Sequence, residues 1–287
     1  AVGGAVELLA DGNVKFTAGS GYSGQASFSY AASDGTAQSA PANVYVDVSA
    51  PTPAEGIVLT GTNCADRIVG TDLNDVIYGR KGNDILIGRA GDDTFKIRGN
   101  DGLDRFDGGP GYDVIEGSDA NDVLRVLSRL ANLKSIEEID GGRGNNDRIV
   151  ATSGNDVLDF SNMTLSGIER IVLGAGNDWV LGSPGNDTFA GGSGRDVFAF
   201  GPGSGHDVVT DFKVNAPGKG KAGGWLSGCA LKGDVIDLRL YEFNSYNELR
   251  QSMHQSGRNV VIDLEAGSSI TLEQTRIADL SAWDFRL

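Results

Sequence analysis

Aspartate recurs on a lattice. Asp66, Asp75, Asp84 and Asp93 stand nine residues apart, and Asp104, Asp113 and Asp122 resume the period after an insertion at Ile97-Arg98. Asp147 and Asp156 keep it, as do Asp178, Asp187 and Asp196, and Asp207 follows a second two-residue insertion. A large apolar residue comes two positions after each, among them Ile77, Leu86, Phe95, Phe106, Ile115, Leu124, Val180, Phe189, Phe198 and Val209. Glycine opens the units at Gly79, Gly88, Gly99, Gly109, Gly182 and Gly192, and another follows within three residues at Gly82, Gly91, Gly102, Gly111, Gly185 and Gly194. Carboxylates beside exposed backbone carbonyls form an all-oxygen donor set. That set suits a hard divalent cation, and calcium, with six to eight oxygens in loose geometry, suits it best. No Cys/His cluster offers a softer metal a site.

A fixed period decides the architecture. In each unit six glycine-rich residues ending in Asp make a turn, and three with an apolar centre make a short strand. The central residue points inward and its neighbours outward, because side chains alternate along a strand. Glycine allows positive φ and brings carbonyls near a common point. Two units close one turn of a flattened coil, so about 18 residues return the chain over itself and place Asp above Asp. Two carboxylates about 5 Å apart at an effective dielectric near 20 repel by roughly 3 kcal/mol. A cation between turns removes that repulsion. The expected fold is therefore all-β, a parallel β-roll or β-helix solenoid.

The units resemble the RTX (hemolysin-type) calcium-binding nonapeptide repeat, G-G-x-G-x-D-x-U-x. The resemblance implies several calcium ions. The ligands it implies are the carboxylates of Asp75, Asp84, Asp93, Asp104, Asp113, Asp122, Asp156, Asp178, Asp187, Asp196 and Asp207, with the carbonyls of the twelve glycines named above. It also implies a protein secreted by a type I machinery to the bacterial cell surface, folding once it meets calcium outside. About six ions, each at ten times its dissociation constant, would add roughly 8 kcal/mol, as much as a whole domain's stability.

The other segments frame this block. Residues 1–50 read as four alternating strands, Ala5–Leu9, Asn13–Thr17, Gln25–Tyr30 and Ala42–Val48, with turns at Asp11-Gly12 and Asp34-Gly35. They resemble part of a cadherin-like or Ig-like repeat, with too few strands for a whole sandwich. Residues 51–60, with Pro51-Thr52-Pro53, read as a stiff linker. Residues 61–125 form the first repeat block, whose first unit has Cys64 in place of a glycine and caps the stack. In 126–172 the period loosens into longer coil turns, with two Ile-Glu-x-Ile phrases around Glu137 and Glu169 and a short helix expected within Val123–Leu133; a separate domain here is the alternative. The second block spans 173–212. Its Trp179 points outward, to pack under the C-terminal segment or to stack on a sugar.

Residues 213–287 read as a cap. They start with a Gly/Lys-rich insertion whose Gly218-x-Gly220-x-x-Gly223 has no β-α unit around it, and Gly19-x-Gly21-x-x-Gly24 is equally accidental. Ser245 and Glu248 predict a capping box on a helix bearing Tyr246, Leu249 and Met253, and a hairpin follows over Asn259–Leu264 and Ser269–Leu272. The ending IADLSAWDFRL resembles the uncleaved export signal of type I secreted RTX proteins, with Arg286 as a departure.

Composition narrows the function. The net charge is −15 and the isoelectric point about 4.5, against nucleic-acid binding. No apolar run spans a membrane. The chain has no opening Met and no signal peptide, and reads as a piece of something longer. Cys64 and Cys229 read as separate thiols. His206 and His254 are the only histidines, and no HExxH or G-x-S-x-G motif is present. The chain therefore reads as a non-enzyme. The expected function is the C-terminal, calcium-folded part of a surface adhesin or matrix protein, with cell-surface polysaccharide or self-association as its contacts. The alternatives are the folding module of a secreted protease, lipase or polysaccharide-modifying enzyme, or a surface-layer protein.

Overall fold

The structure, a computed structural model, describes residues 1–19, 22–48, 55–215 and 233–287. The Pro51-Thr52-Pro53 linker, Gly21, Cys229 and the Gly218–Gly223 stretch lie outside the described residues. Contacts divide the chain into two units, 1–54 and 55–287.

The first unit is two antiparallel pairs. Gly4–Leu8 pairs with Val14–Ala18, and Gly24–Tyr30 with Ala42–Val48. One bridge, Val2 to Ser27, ties the pairs together. Phe16 and Phe28 stack with centroids 6.5 Å apart, but among the described residues of this unit Ala26 is the one fully buried apolar residue, and Leu8 is 74% exposed. Four strands bury little, as half a sandwich must.

The second unit is a parallel solenoid of three-residue strands. One wall stacks 58–60, 76–78, 94–96, 114–116, 138–140 and 164–166, and the facing wall stacks 67–69, 85–87, 105–107 and 133–134. The middle residue of each strand faces in, so the core is a ladder. Ile77 lies on Phe95, Leu86 on Phe106, Ile115 on Ile139 and Val180 on Phe198. All eight are at most 2% exposed.

Between residues 114 and 166 the coil is three-sided. Strands 123–125, 148–150 and 170–172 build a third wall, and 157–159, 179–181 and 197–199 continue the coil's other side. The expected helix within Val123–Leu133 is instead strand Val123–Arg125, a 3-10 turn Ser128–Leu130 and strand Leu133–Lys134. Arg129 and Leu130 have φ of 59° and 48°, which no α-helix accepts. The buried Asn132 amide fixes this corner. Its oxygen accepts from Leu127 N–H at 2.8 Å, and its nitrogen donates to Asp104 O at 2.8 Å and Arg125 O at 3.0 Å.

The last parallel strand of the third wall, Ser269–Leu272, lies on His206–Val209. It turns into antiparallel strands Asn259–Asp263 and Met253–Ser256, and so blunts the open edge of the stack. Phe285–Arg286 closes the other wall against Ile236–Asp237. The expected helix is one turn, Tyr246–Leu249, and Met253 begins a strand rather than joining a helical face. Only half of the expected box forms. Glu248 N–H donates to Ser245 Oγ at 3.2 Å, but the Glu248 carboxylate accepts from Asn244 N–H at 2.8 Å.

The glycines are pressed by the turns beside them. A Cβ at Gly102, where φ is +142°, would overlap the carbonyl oxygen of Gly82. Gly102→Ala combines that overlap with a backbone region L-residues avoid. It is expected to cost at least about 2 kcal/mol, read as a lower urea midpoint in saturating calcium.

Candidate metal centre

From one turn of the solenoid to the next, the carboxylates are fixed in a repeated way. Asp66 N–H donates to Asp84 Oδ1 at 2.8 Å, eighteen residues on. Asp84 donates to Asp104, Asp75 to Asp93 and Asp93 to Asp113, each at 2.8–2.9 Å. The same bond links Asp122 to Asp147, Asp156 to Asp178, Asp178 to Asp196, Asp187 to Asp207 and Asp196 to Asp234. Five columns result, headed by Asp66, Asp75, Asp122, Asp156 and Asp187. One carboxylate oxygen is thereby occupied at each step, and the other is aimed into the corner.

That second oxygen divides the corners. The buried Oδ2 atoms of Asp84, Asp93, Asp113, Asp147, Asp178, Asp196 and Asp207 have no hydrogen-bond partner among the described residues. These side chains are at most 1% exposed. An ionised oxygen sealed without a partner costs several kcal/mol, so burial drives the carboxyls upward. Asp113 and Asp178 rise to about 6 and Asp207 to about 7. Burial dominates each shift. The backbone N–H on Oδ1 opposes it, and neighbouring carboxylates add to it. Asp84, Asp93, Asp147 and Asp196 are also raised, again through burial first.

The other corners satisfy themselves. Thr62 N–H and Oγ1 donate to Asp66 Oδ2 at 2.6 and 2.8 Å. Thr71 does the same for Asp75, Ser118 for Asp122 and Thr152 for Asp156, at 2.5–3.1 Å. Ser183 N–H donates to Asp187 Oδ2 at 2.7 Å, and its hydroxyl donates to Oδ1 at 3.1 Å. Asp104 belongs to neither group. Burial raises it to about 6, and its Oδ1 holds Asp84 N–H.

The glycines supply the space. A Cβ at Gly79 would lie 2.6 Å from Asp84 Oδ2, and one at Gly182 would lie 2.7 Å from Asp187 Oδ2. At Gly88 it would overlap Asp93 Oδ2 and lie 2.8 Å from Gly108 O. Carbonyls of the adjacent turn face Gly82 and Gly91, and would overlap a Cβ at Gly109, Gly111, Gly192 or Gly194. Gly99 and Gly185 stand apart, since a Cβ at Gly99 meets nothing within 4 Å and one at Gly185 nothing closer than 3.5 Å.

The columns also hold residues absent from the lattice. Asp113 N–H donates to Glu137 Oε2 at 2.8 Å, and Asp147 N–H donates to Glu169 Oε2 at 2.5 Å. The two Ile-Glu-x-Ile phrases were the sequence signal for them. Asp234 and Asp284 close the C-terminal end. Asp234 accepts from both Asp196 and Lys213 N–H, and Asp284 Oδ1 accepts from Asn215 N–H at 2.6 Å. Trp179, outward on its strand, is half-buried.

No three His, Cys, Asp or Glu side chains converge among the described residues. Zinc, which takes three or four side-chain ligands, is not served. Each open corner instead offers one free carboxylate oxygen beside backbone carbonyls, the donor set of calcium. The residues fit that ion.

The RTX calcium-binding nonapeptide repeat family matches four segments, residues 60–95, 98–126, 141–159 and 164–198. A bacterial Ig domain matches residues 1–47. Comparison with curated proteins found no match. Among solved structures, the crystal structure of extracellular lipase LipA from Serratia marcescens aligns over 78% of this chain and 40% of its own at 19% identity, with a TM-score of 0.28. The chain thus spans well under half of that protein's length. Stacked carboxylates, open oxygen corners and four matched segments agree that this chain carries RTX calcium-binding nonapeptide repeats within residues 60–198, with a bacterial Ig domain ahead of them.

Proposed function

We propose that residues 55–287 are a calcium-folded module of a secreted surface protein, exported by a type I machinery and presented at the cell surface as part of an adhesin. Seven sealed carboxylate oxygens without partners, all at repeat corners, carry the reading. Bound calcium supplies the divalent charge these oxygens need. The chain's own part is to hold each Oδ1 through the neighbouring turn and to leave Oδ2 and the glycine carbonyls converging. Without the ion, burial and like charge oppose the stack, and the chain stays extended enough for a narrow exporter. The Ig domain over residues 1–47 favours a stalk-borne adhesin. The segment 234–287 is assigned as cap and export signal. No catalytic role is assigned, because the column geometry accounts for the paired carboxylates.

Circular dichroism of the full chain at pH 7.5 tests the module. With chelator, the β signal of the solenoid is expected to be lost, and millimolar calcium is expected to restore it. Identical spectra in the two conditions would sink the proposal.

A further inference from the structure

The self-satisfied corners are not scattered. Each of the five columns begins with one. Asp66, Asp75, Asp122, Asp156 and Asp187 are the N-terminal members, and each has Thr or Ser four residues before it. The next member of each of the five columns has a free, sealed Oδ2: Asp84, Asp93, Asp147, Asp178 and Asp207.

The backbone differs with the class. Residues four before Asp84, Asp93, Asp113, Asp178, Asp196 and Asp207 all have positive φ: Arg80 67°, Arg89 92°, Gly109 104°, Gly174 98°, Gly192 81° and Gly203 80°. Before Asp147 the left-handed residue stands one place earlier, five residues back, at Gly142 with φ 88°. None of the five hydroxyl residues is in that region. A left-handed residue turns its amide away from the carboxylate; Arg89 N–H, for example, donates to Gly108 O at 2.9 Å. Arg80 and Arg89 hold a conformation that L-residues avoid, strain of the kind kept at functional corners. In the hydroxyl corners the turn closes on itself, with Cys64, Ala120, Gly154 and Gly185 N–H donating to the hydroxyl at 3.0–3.1 Å.

We infer that the Thr62, Thr71, Ser118, Thr152 and Ser183 corners are ion-free N-terminal caps of the carboxylate columns, and that calcium is taken up only from the second member of each column onward. An ion between two turns needs a lattice corner on both sides. Among the described residues, no aspartate N–H reaches the first carboxylate from the turn before it, where Ile57 N–H holds Asp75 Oδ1 at 2.7 Å and Gly99 N–H holds Asp122 Oδ1. A hydroxyl and an amide on Asp75 and Asp122 Oδ2 take the place of the ion. This inference rests on the calcium reading above.

The test is a crystal structure of the full chain grown in millimolar calcium, with anomalous density for the ions. Native mass spectrometry of wild type, Asp75→Asn and Asp93→Asn in calcium accompanies it. Ions are expected on Oδ2 of Asp93 and its equivalents, with Thr71 and Ser183 still bonded to Asp75 and Asp187. Asp93→Asn is expected to hold at least one ion fewer than wild type, and Asp75→Asn the same number. Ion density on Oδ2 of Asp75 or Asp187, or equal ion loss in both variants, would overturn the cap assignment while leaving the calcium reading in place. A wild-type chain that takes up no ion would overturn the calcium reading and this assignment together. The crystallographic arm needs no variant to fold.

Discussion

Each tenfold rise in free calcium above the dissociation constant is expected to stabilise residues 55–287 by about 10 kcal/mol. Ligand that binds only the folded state adds about 1.4 kcal/mol per site for each decade, and seven corners present a sealed, unpartnered Oδ2. For a unit of this size about 1 kcal/mol moves the melting temperature by 2–4 °C, so the midpoint is expected to climb roughly 20–40 °C per decade. Calorimetry at buffered free calcium measures it. A slope matching one or two ions would mean that most corners do not take part. Residues 1–54 are expected to melt separately and without this dependence. Asp11 and Asp34 there are exposed and already accept backbone N–H groups of their own turns, Asn13 for the first and Thr36 and Ala37 for the second. Two transitions, one calcium-dependent, would follow.

Much of this was readable before any coordinates. The nine-residue period placed Ile77, Leu86, Phe95, Phe106 and Ile115 inside, and all are buried, because a period-two strand between glycine turns leaves no other face for them. The third wall was less legible. It depends on where the chain can repeat its inward residue once the turn lengthens. Glu137 and Glu169 lie twenty-four and twenty-two residues from the aspartates that they serve, off any multiple of nine. Val123–Leu133 offered apolar residues at spacings that suit a helix, but register with the strand at 148–150 kept Val123–Arg125 extended. Asp234 joins its column thirty-eight residues after Asp196, a distance no local pattern spans. The two corner classes differ in sequence by Thr or Ser against Gly or Arg four residues before the aspartate. Their meaning needed the backbone, since only the φ at Arg80 or Gly192 shows that the amide has left the carboxylate.

Acid is expected to do part of calcium's work. In chelator, the solenoid should be unfolded at pH 7.5 and regain β structure near pH 5. The unfolded carboxyls titrate at 3.8, while the folded ones sit higher, at about 6 for Asp104, Asp113, Asp178 and Asp234 and about 7 for Asp207, because burial penalises the charge. A raised folded value means the folded state holds its proton more tightly. Its contribution is fully present below about 4 and is lost as pH climbs through 6 to 7. With several groups moving together, the steepest part should reach several kcal/mol per pH unit. Asp237 does not interfere. Burial would raise it, but Arg239, with a bond of 2.7 Å, and Arg286 outweigh burial and hold it below 3.8. Its stability is lost only as pH falls through that lower range. Protons and calcium compete for the same oxygens, so calcium affinity should fall across the window in which acid restores the fold. Circular dichroism against pH, with and without chelator, reads both effects. A calcium-free chain less folded at pH 5 than at pH 7.5 would show that the sealed carboxylates are not what opposes folding.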